Sequence, residues 1–305
     1  IFQRFLDISP ALVSSLGLDK GARAEAKSQL DDDSAAGTQR QLQLIRKGLA
    51  ELAVFKPGML PSAAALNLEV VSYFLEQQTV APARFGLASV GRPYRIFQQG
   101  GAYFEIPDFL NTAHTIGTTT DCEAYLARLE AFATVLDSDS DVQKEDASRG
   151  YLAPDFSLEL TLGQMAKLRN QQANSSSIVQ SLVTRASAKG IVGDWEKRAA
   201  DIVETKVYPA LDRQIELVKK LRPTTAAGDG LWRVPQGDAI YGAALKQWTT
   251  TDYAPDEVHR MGLAQVADIT AQLDTILKAL QSLFQTSCHA VEGSRHLTNF
   301  IRARS

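Results

Sequence analysis

Four histidines, His114, His259, His289 and His296, are the imidazoles of the chain, and metal-assisted chemistry would begin with them. A catalytic zinc ion needs three protein ligands and an open position for water. H-E-x-x-H on a helix supplies two of the ligands on one face, with a glutamate to activate the water. None of the four histidines begins that motif. His289 and His296 lie seven residues apart with Glu292 between them, which puts all three on one side of a helix, but Gly293 weakens a helix at that point. His259 follows Val258 at the expected start of a helix and suits a boundary residue making one hydrogen bond. No catalytic residue and no metal ligand is assigned, and these residues are expected to hold no cofactor of their own.

Other chemistries leave equally little trace. There is no Gly-x-Ser-x-Gly elbow, phosphate-binding loop or dinucleotide fingerprint, and Gly228-Asp229-Gly230 is too short and follows no strand. Asp31-Asp32-Asp33 precedes a helix, where carboxylates cap or face water. Asp137-Ser138-Asp139-Ser140-Asp141 imitates the opening of a calcium loop but has Val142 where the sixth-position glycine belongs and Ser148 in place of the twelfth-position glutamate. The candidates for substrate contact are aromatic and guanidinium groups. Trp232, Arg233, Tyr241 and Trp248 gather around an ordered loop between glycine and proline breakers.

The elements that must position them are mostly helices. Apolar residues recur at helical spacing in Leu42, Ile45, Leu49 and Leu52, and Leu66, Val70, Tyr73 and Phe74 are expected to face inward after Pro61. Thr120 with Glu123 reads as a capping box opening a helix that buries Cys122, Leu126 and Leu129. A long helix from Trp195 to Leu221 should kink at Pro209. After Pro255, the residues Val258, Gly262, Val266, Ile269, Leu273, Ile276 and Leu280 step by four and three, as in a packed helix. Between Pro93 and Pro107 the period changes. Tyr94–Phe97 and Ala102–Ile106 are aromatic and β-branched, separated by Gln98-Gln99-Gly100-Gly101, which reads as a small hairpin. The expected fold is mainly α, a multi-helical array with one β-hairpin near residues 94–106.

With 305 residues the chain can bury one large core or two modest ones. A net charge of −3 with scattered basic residues argues against nucleic acid as partner. No run approaches the roughly 20 apolar residues of a membrane-spanning helix. Two cysteines, Cys122 and Cys288, make no disulfide framework. The chain opens at Ile1-Phe2-Gln3-Arg4-Phe5, already amphipathic and without an initiator methionine, so a segment upstream is expected.

Four stretches share their wording with one family. Gly228–Gln265, reading GDGLWRVPQGDAIYGAALKQWTTTDYAPDEVHRMGLAQ, is the most specific. Ser9-Pro10 with Leu16-Gly17-Leu18, Gly101-Ala102-Tyr103 through Pro107-Asp108-Phe109-Leu110, and Ala124-Tyr125-Leu126-Ala127-Arg128-Leu129 follow the same order. Together they resemble bacterial domain-of-unknown-function family 885, whose members look like zinc-dependent peptidases of the H-E-x-x-H type. The likeness spans residues 1–278, and 279–305 reads as a divergent tail. It implies that zinc belongs to a full-length member, that the motif lies downstream, and that this chain is an N-terminal scaffold and cleft wall, inactive alone. It also implies a peptide as partner, Tyr103 and Phe104 as cleft residues, and an exported or periplasmic setting. Half of a two-walled cleft would leave apolar surface exposed and favour self-association. The alternative is a non-catalytic helical binding or scaffolding protein descended from such an enzyme.

Overall fold

The computed structural model describes residues 1–302, with side chains through residue 281. His289, Glu292 and His296, considered above as a side-chain group, and Cys288 fall outside the described side chains. The chain divides into two compact units, residues 1–244 and the part from Leu245 onward. Twelve α-helices account for the described secondary structure together with short 3₁₀ and π turns.

In the first unit, α1 (Phe2–Ile8) and α2 (Pro10–Ser15) lead into a 3₁₀ segment, Gly21–Ser28, and then α3 (Ala35–Leu52). Ser34 caps α3, its hydroxyl accepting from the Gly37 amide at 3.1 Å. Asp31 serves a different helix, accepting from the Ala11 amide in the first turn of α2 at 2.8 Å. Next come α4 (Ser62–Val80) and a π turn, Ala81–Phe85, that closes on Gly86 in the left-handed region at φ +65°. Leu66, Val70 and Phe74 of α4 are exposed rather than inward, and Leu75 is the buried residue of that helix.

The hairpin is absent. One isolated bridge joins Phe97 to Gly100, and what reads as its second strand is the start of α5 (Ala102–Thr112). Strand propensity in such residues is a fit to surroundings rather than an intrinsic backbone preference. Here Ala102, Tyr103, Ile106 and Leu110 are buried together at helical spacing, and an acceptor waits at the helix start.

The centre of the first unit is α6 (Thr119–Ser148), 30 residues long. Its capping box lies two residues before the expected one. Thr118 caps the Asp121 amide at 3.2 Å while the Asp121 carboxylate accepts from Thr118 and Gly117 at 2.8 and 2.9 Å. The pseudo-calcium run lies inside this helix. Around α6 pack α5, α8 (Ser177–Ala188), α9 (Trp195–Ile202) and α10 (Tyr208–Leu221), while α7 (Asp155–Arg169) packs on α10. Tyr125, Leu129, Phe132 and Leu136 of α6 share the main core with Tyr208 and Leu211 of α10. Ahead of Pro209, where a kink is expected, the structure has a π turn. The helical run from Trp195 to Leu221 is continuous but widens into a π turn at Val203–Val207, just before the ring that would otherwise crowd a preceding carbonyl.

A smaller cluster of Phe85, Leu87, Val90, Tyr151, Val234 and Ile240 lies beneath the segment joining α4 to α5. Ile240, fully buried in this cluster, belongs to α11 (Gly237–Thr249). In the second unit, α12 (Pro255–Arg302) carries the expected four-three apolar stripe, but Val266, Ile269, Leu273, Ile276 and Leu280 are exposed. No helix among the described residues is long and apolar enough to cross a membrane.

Candidate functional site

One stripe on α6 passes through Tyr125, Leu129, Phe132, Leu136, Asp139, Gln143 and Asp146, in alternating steps of four and three. All seven are buried. Its first four residues are core, and the last three carry polar groups into the interior, where each needs a partner. Asp139 and Gln143 find partners in the irregular segment 86–101 and the residue that follows it, and Asp146 finds Arg149, which in turn reaches that segment.

Asp139 makes the central contacts. One carboxylate oxygen accepts from the Ala102 amide at 2.6 Å, at the open end of α5, and the other accepts from the Arg95 Nε at 2.5 Å. A charge-assisted bond at a helix N-terminus is among the stronger ones a protein makes. Gln143 accepts from the Ile96 amide at 2.9 Å and donates to the Tyr151 carbonyl at 3.4 Å. Asp146 pairs with Arg149, whose guanidinium donates to the carbonyls of Phe85 at 3.3 Å and Gly86 at 2.8 Å. Burial pushes the Asp139 carboxyl up against the opposing pull of Arg95 and the Ala102 amide, and burial likewise raises Asp146. Burial alone would lower Arg95, but Asp139 and Asp33 together hold it above its ordinary value.

Two of the sequence candidates grip the same segment from other sides. The Tyr103 hydroxyl lies 2.7 Å from the Phe97 carbonyl and 2.8 Å from the Gln164 side chain, and burial pushes it up to about 12. Arg233 donates to the Tyr94 hydroxyl at 3.1 Å, to Thr225 Oγ1 at 3.0 Å and to the Leu152 carbonyl, with its guanidinium over the Tyr94 ring. The segment 94–97 thus joins the Tyr103 and Arg233 stretches, 130 residues apart in sequence. Phe104 and Trp232 adjoin these anchors and are exposed, Trp232 at 74%. Tyr241 is exposed on α11, and Trp248, in the second unit, is exposed too.

A cavity of about 180 Å³ opens beside the segment, lined by Leu87, Arg92, Tyr94, Arg95, Glu105 and Asp146. A second, of about 130 Å³, lies on another side of Arg95 and Glu105 and includes Asp31, Asp33 and Phe109. Both are smaller than the 300–1,000 Å³ usual for a whole small-molecule site, and suit single side chains of a longer ligand. Arg95 and Glu105, which line both, were not singled out in the sequence, nor was Asp139 as a ligand of the segment. The signal that could have found Asp139 is the persistence of the α6 register while its residues turn polar.

The histidines do different work. His114 is buried, its Nε2 donating to the Asp121 carbonyl at 2.9 Å and its Nδ1 accepting from Arg128 at 2.9 Å. Arg128 is fully buried, over the Phe109 ring, and also donates to Ser14 Oγ and to the carbonyls of Ala26 and Gln29. Burial lowers His114 to about 4 and Arg128 to about 10. His259 is exposed on α12. Among the described residues no three His, Cys, Asp or Glu side chains are grouped to hold a metal ion, so a zinc site is not found there.

The class these features define is an α-helical domain whose longest core helix fastens an irregular, cavity-bearing segment. The chain belongs to the family described as bacterial protein of unknown function, DUF885, which matches residues 10–302. No curated protein matches it. A solved structure, described as that of "the putative lipoprotein from Colwellia psychrerythraea", is 18% identical with a TM-score of 0.79 over 90% of this chain. At that identity the likeness shows the fold alone. This chain spans 50% of the length of that protein.

Proposed function

We propose that this chain is the N-terminal scaffold and one cleft wall of a zinc-dependent peptidase, binding an extended peptide along the segment 86–101. The observation that supports this most is the fastening of residues 94–97 by Asp139, Gln143, Tyr103 and Arg233 at once. That arrangement fixes a stretch of irregular backbone beside two side-chain-sized cavities, with exposed rings of Phe104 and Trp232 adjoining the anchors. A prearranged wall of this kind avoids the ordering cost that a mobile loop would add to binding. Zinc would supply the Lewis acid and the activated water, and none of the histidines here begins H-E-x-x-H. In this account the zinc-bearing helix comes from polypeptide outside these residues, and the 305-residue chain binds peptide without cleaving it.

The exposed stripe of α12 favours self-association of the isolated chain, and sedimentation as a clean monomer would count against that part. Peptide binding is tested by titrating the chain with a library of extended peptides and following tryptophan fluorescence and heat. Saturable binding that weakens in Phe104→Ala and Trp232→Ala is expected. Binding indifferent to both substitutions, or none at millimolar peptide, overturns the cleft-wall assignment.

A further inference from the structure

α4 is apolar on nearly every side, a composition that belongs to a covered helix, yet Leu75 is its buried residue and Leu66, Val70 and Phe74 are exposed. Between α3 and α4 runs a groove of about 940 Å³, floored by Leu49, Leu52 and Phe55 on one side and Leu66 and Leu68 on the other. It shares no lining residue with the cavities beside residues 86–101. The charged groups that line it are Glu69 and Glu76, both exposed. They lie seven residues apart on α4, so they stand on one face about 10 Å apart along the axis. Neither carboxylate is in an ion pair among the described residues. The surface therefore has an apolar floor and an acidic edge with two uncompensated charges at a helical repeat.

We infer that this groove docks a basic amphipathic α-helix, one whose apolar stripe fills the floor and whose lysines or arginines, seven residues apart, meet Glu69 and Glu76. Helix-in-groove recognition takes this form, with anchors at i, i+3, i+4 and i+7 entering an apolar trough. Charge selects the occupant. The described part of α12, the other exposed apolar helix, carries Asp256, Glu257, Asp268 and Asp274 against Arg260 and Lys278. A second copy presenting α12 would set acid against acid.

The test uses a fluorescein-labelled 18-residue helical peptide with leucines at those four spacings and two lysines seven apart, beside a counterpart with glutamate replacing both lysines. Anisotropy titration of the full 305-residue chain should give saturable binding of the lysine peptide and weaker binding of the glutamate peptide. The double variant Glu69→Gln/Glu76→Gln should weaken the lysine peptide by about fivefold, the scale of two exposed ion pairs, and reduce its salt dependence. Leu66→Asp, at an exposed position, should abolish binding while circular dichroism and the melting temperature stay unchanged. Equal affinity for the two peptides, or binding untouched by the glutamine pair, overturns the inference. So does a dimer in sedimentation that Leu66→Asp dissociates and neither peptide displaces, which would make the occupant a second copy.

Discussion

Replacing Asp139 by alanine removes the acceptor shared by the Ala102 amide and the Arg95 guanidinium. Breaking a buried ion pair by deleting one partner costs about 3–5 kcal/mol, and an orphaned buried amide costs about 1–3 kcal/mol more. Arg95 keeps a contact with Asp33 at 3.1 Å, and Asp33 is half-exposed, so part of the first cost is recovered. The net expectation is a loss of about 4 kcal/mol for Asp139→Ala. Asp139→Asn, whose amide has one oxygen for two donors, should lose about 2 kcal/mol. Asp141→Ala is the control. Asp141 lies two residues along α6, 76% exposed and paired with Lys144 alone, and should cost under about 0.5 kcal/mol. Denaturant unfolding measures all three. Hydrogen exchange then separates local from global effects, because Ala102 should lose protection in Asp139→Ala and Ile96 in Gln143→Ala, before the α6 core opens. Asp139→Ala within 0.5 kcal/mol of Asp141→Ala, with unchanged exchange at Ala102, would refute the claim that Asp139 holds the segment.

Three further outcomes are expected. His114 has a folded value near 4 against an ordinary 6.5, so the unfolded chain binds more protons between those limits. Its contribution is present above pH 6.5 and lost as pH falls through 4, about 3 kcal/mol in all, and the stability gap between the native chain and His114→Gln should narrow by that amount across the window. Gly101→Ala should cost about 2 kcal/mol in denaturant unfolding, since its φ of +100° disfavours a side chain and the added carbon would meet the Arg95 carbonyl at 3.2 Å. Trp232→Ala should leave the melting temperature within about 1 °C, as an exposed surface substitution does, while weakening peptide binding in calorimetry.

Much of the fold was legible because helical periodicity needs no knowledge of neighbours. The helices beginning at Trp195 and Pro255, and the disturbance ahead of Pro209, follow from apolar spacing and the proline ring. The family was legible from wording in four stretches. What failed were readings that depend on distant partners. Residues 102–106 look like a strand until Asp139, 37 residues away, supplies a helix cap. Leu66, Val70 and Phe74 carry an inward pattern, but periodicity states which residues share a face and not whether another element covers it. Candidate site residues were legible by type. Tyr103 and Arg233 do meet a common segment, but the part Arg95 and Asp139 play in fastening it was hidden because ordinary charged residues in a helix or loop read as solvent-facing until their partners are known.

The most direct test of the central claim is zinc content with peptide hydrolysis, measured side by side on the purified 305-residue chain and on the product of its complete reading frame. Metal and cleavage in the longer product, with peptide binding but neither metal nor cleavage in the 305-residue chain, is the predicted result. Stoichiometric zinc and peptide cleavage by the 305-residue chain itself would contradict it.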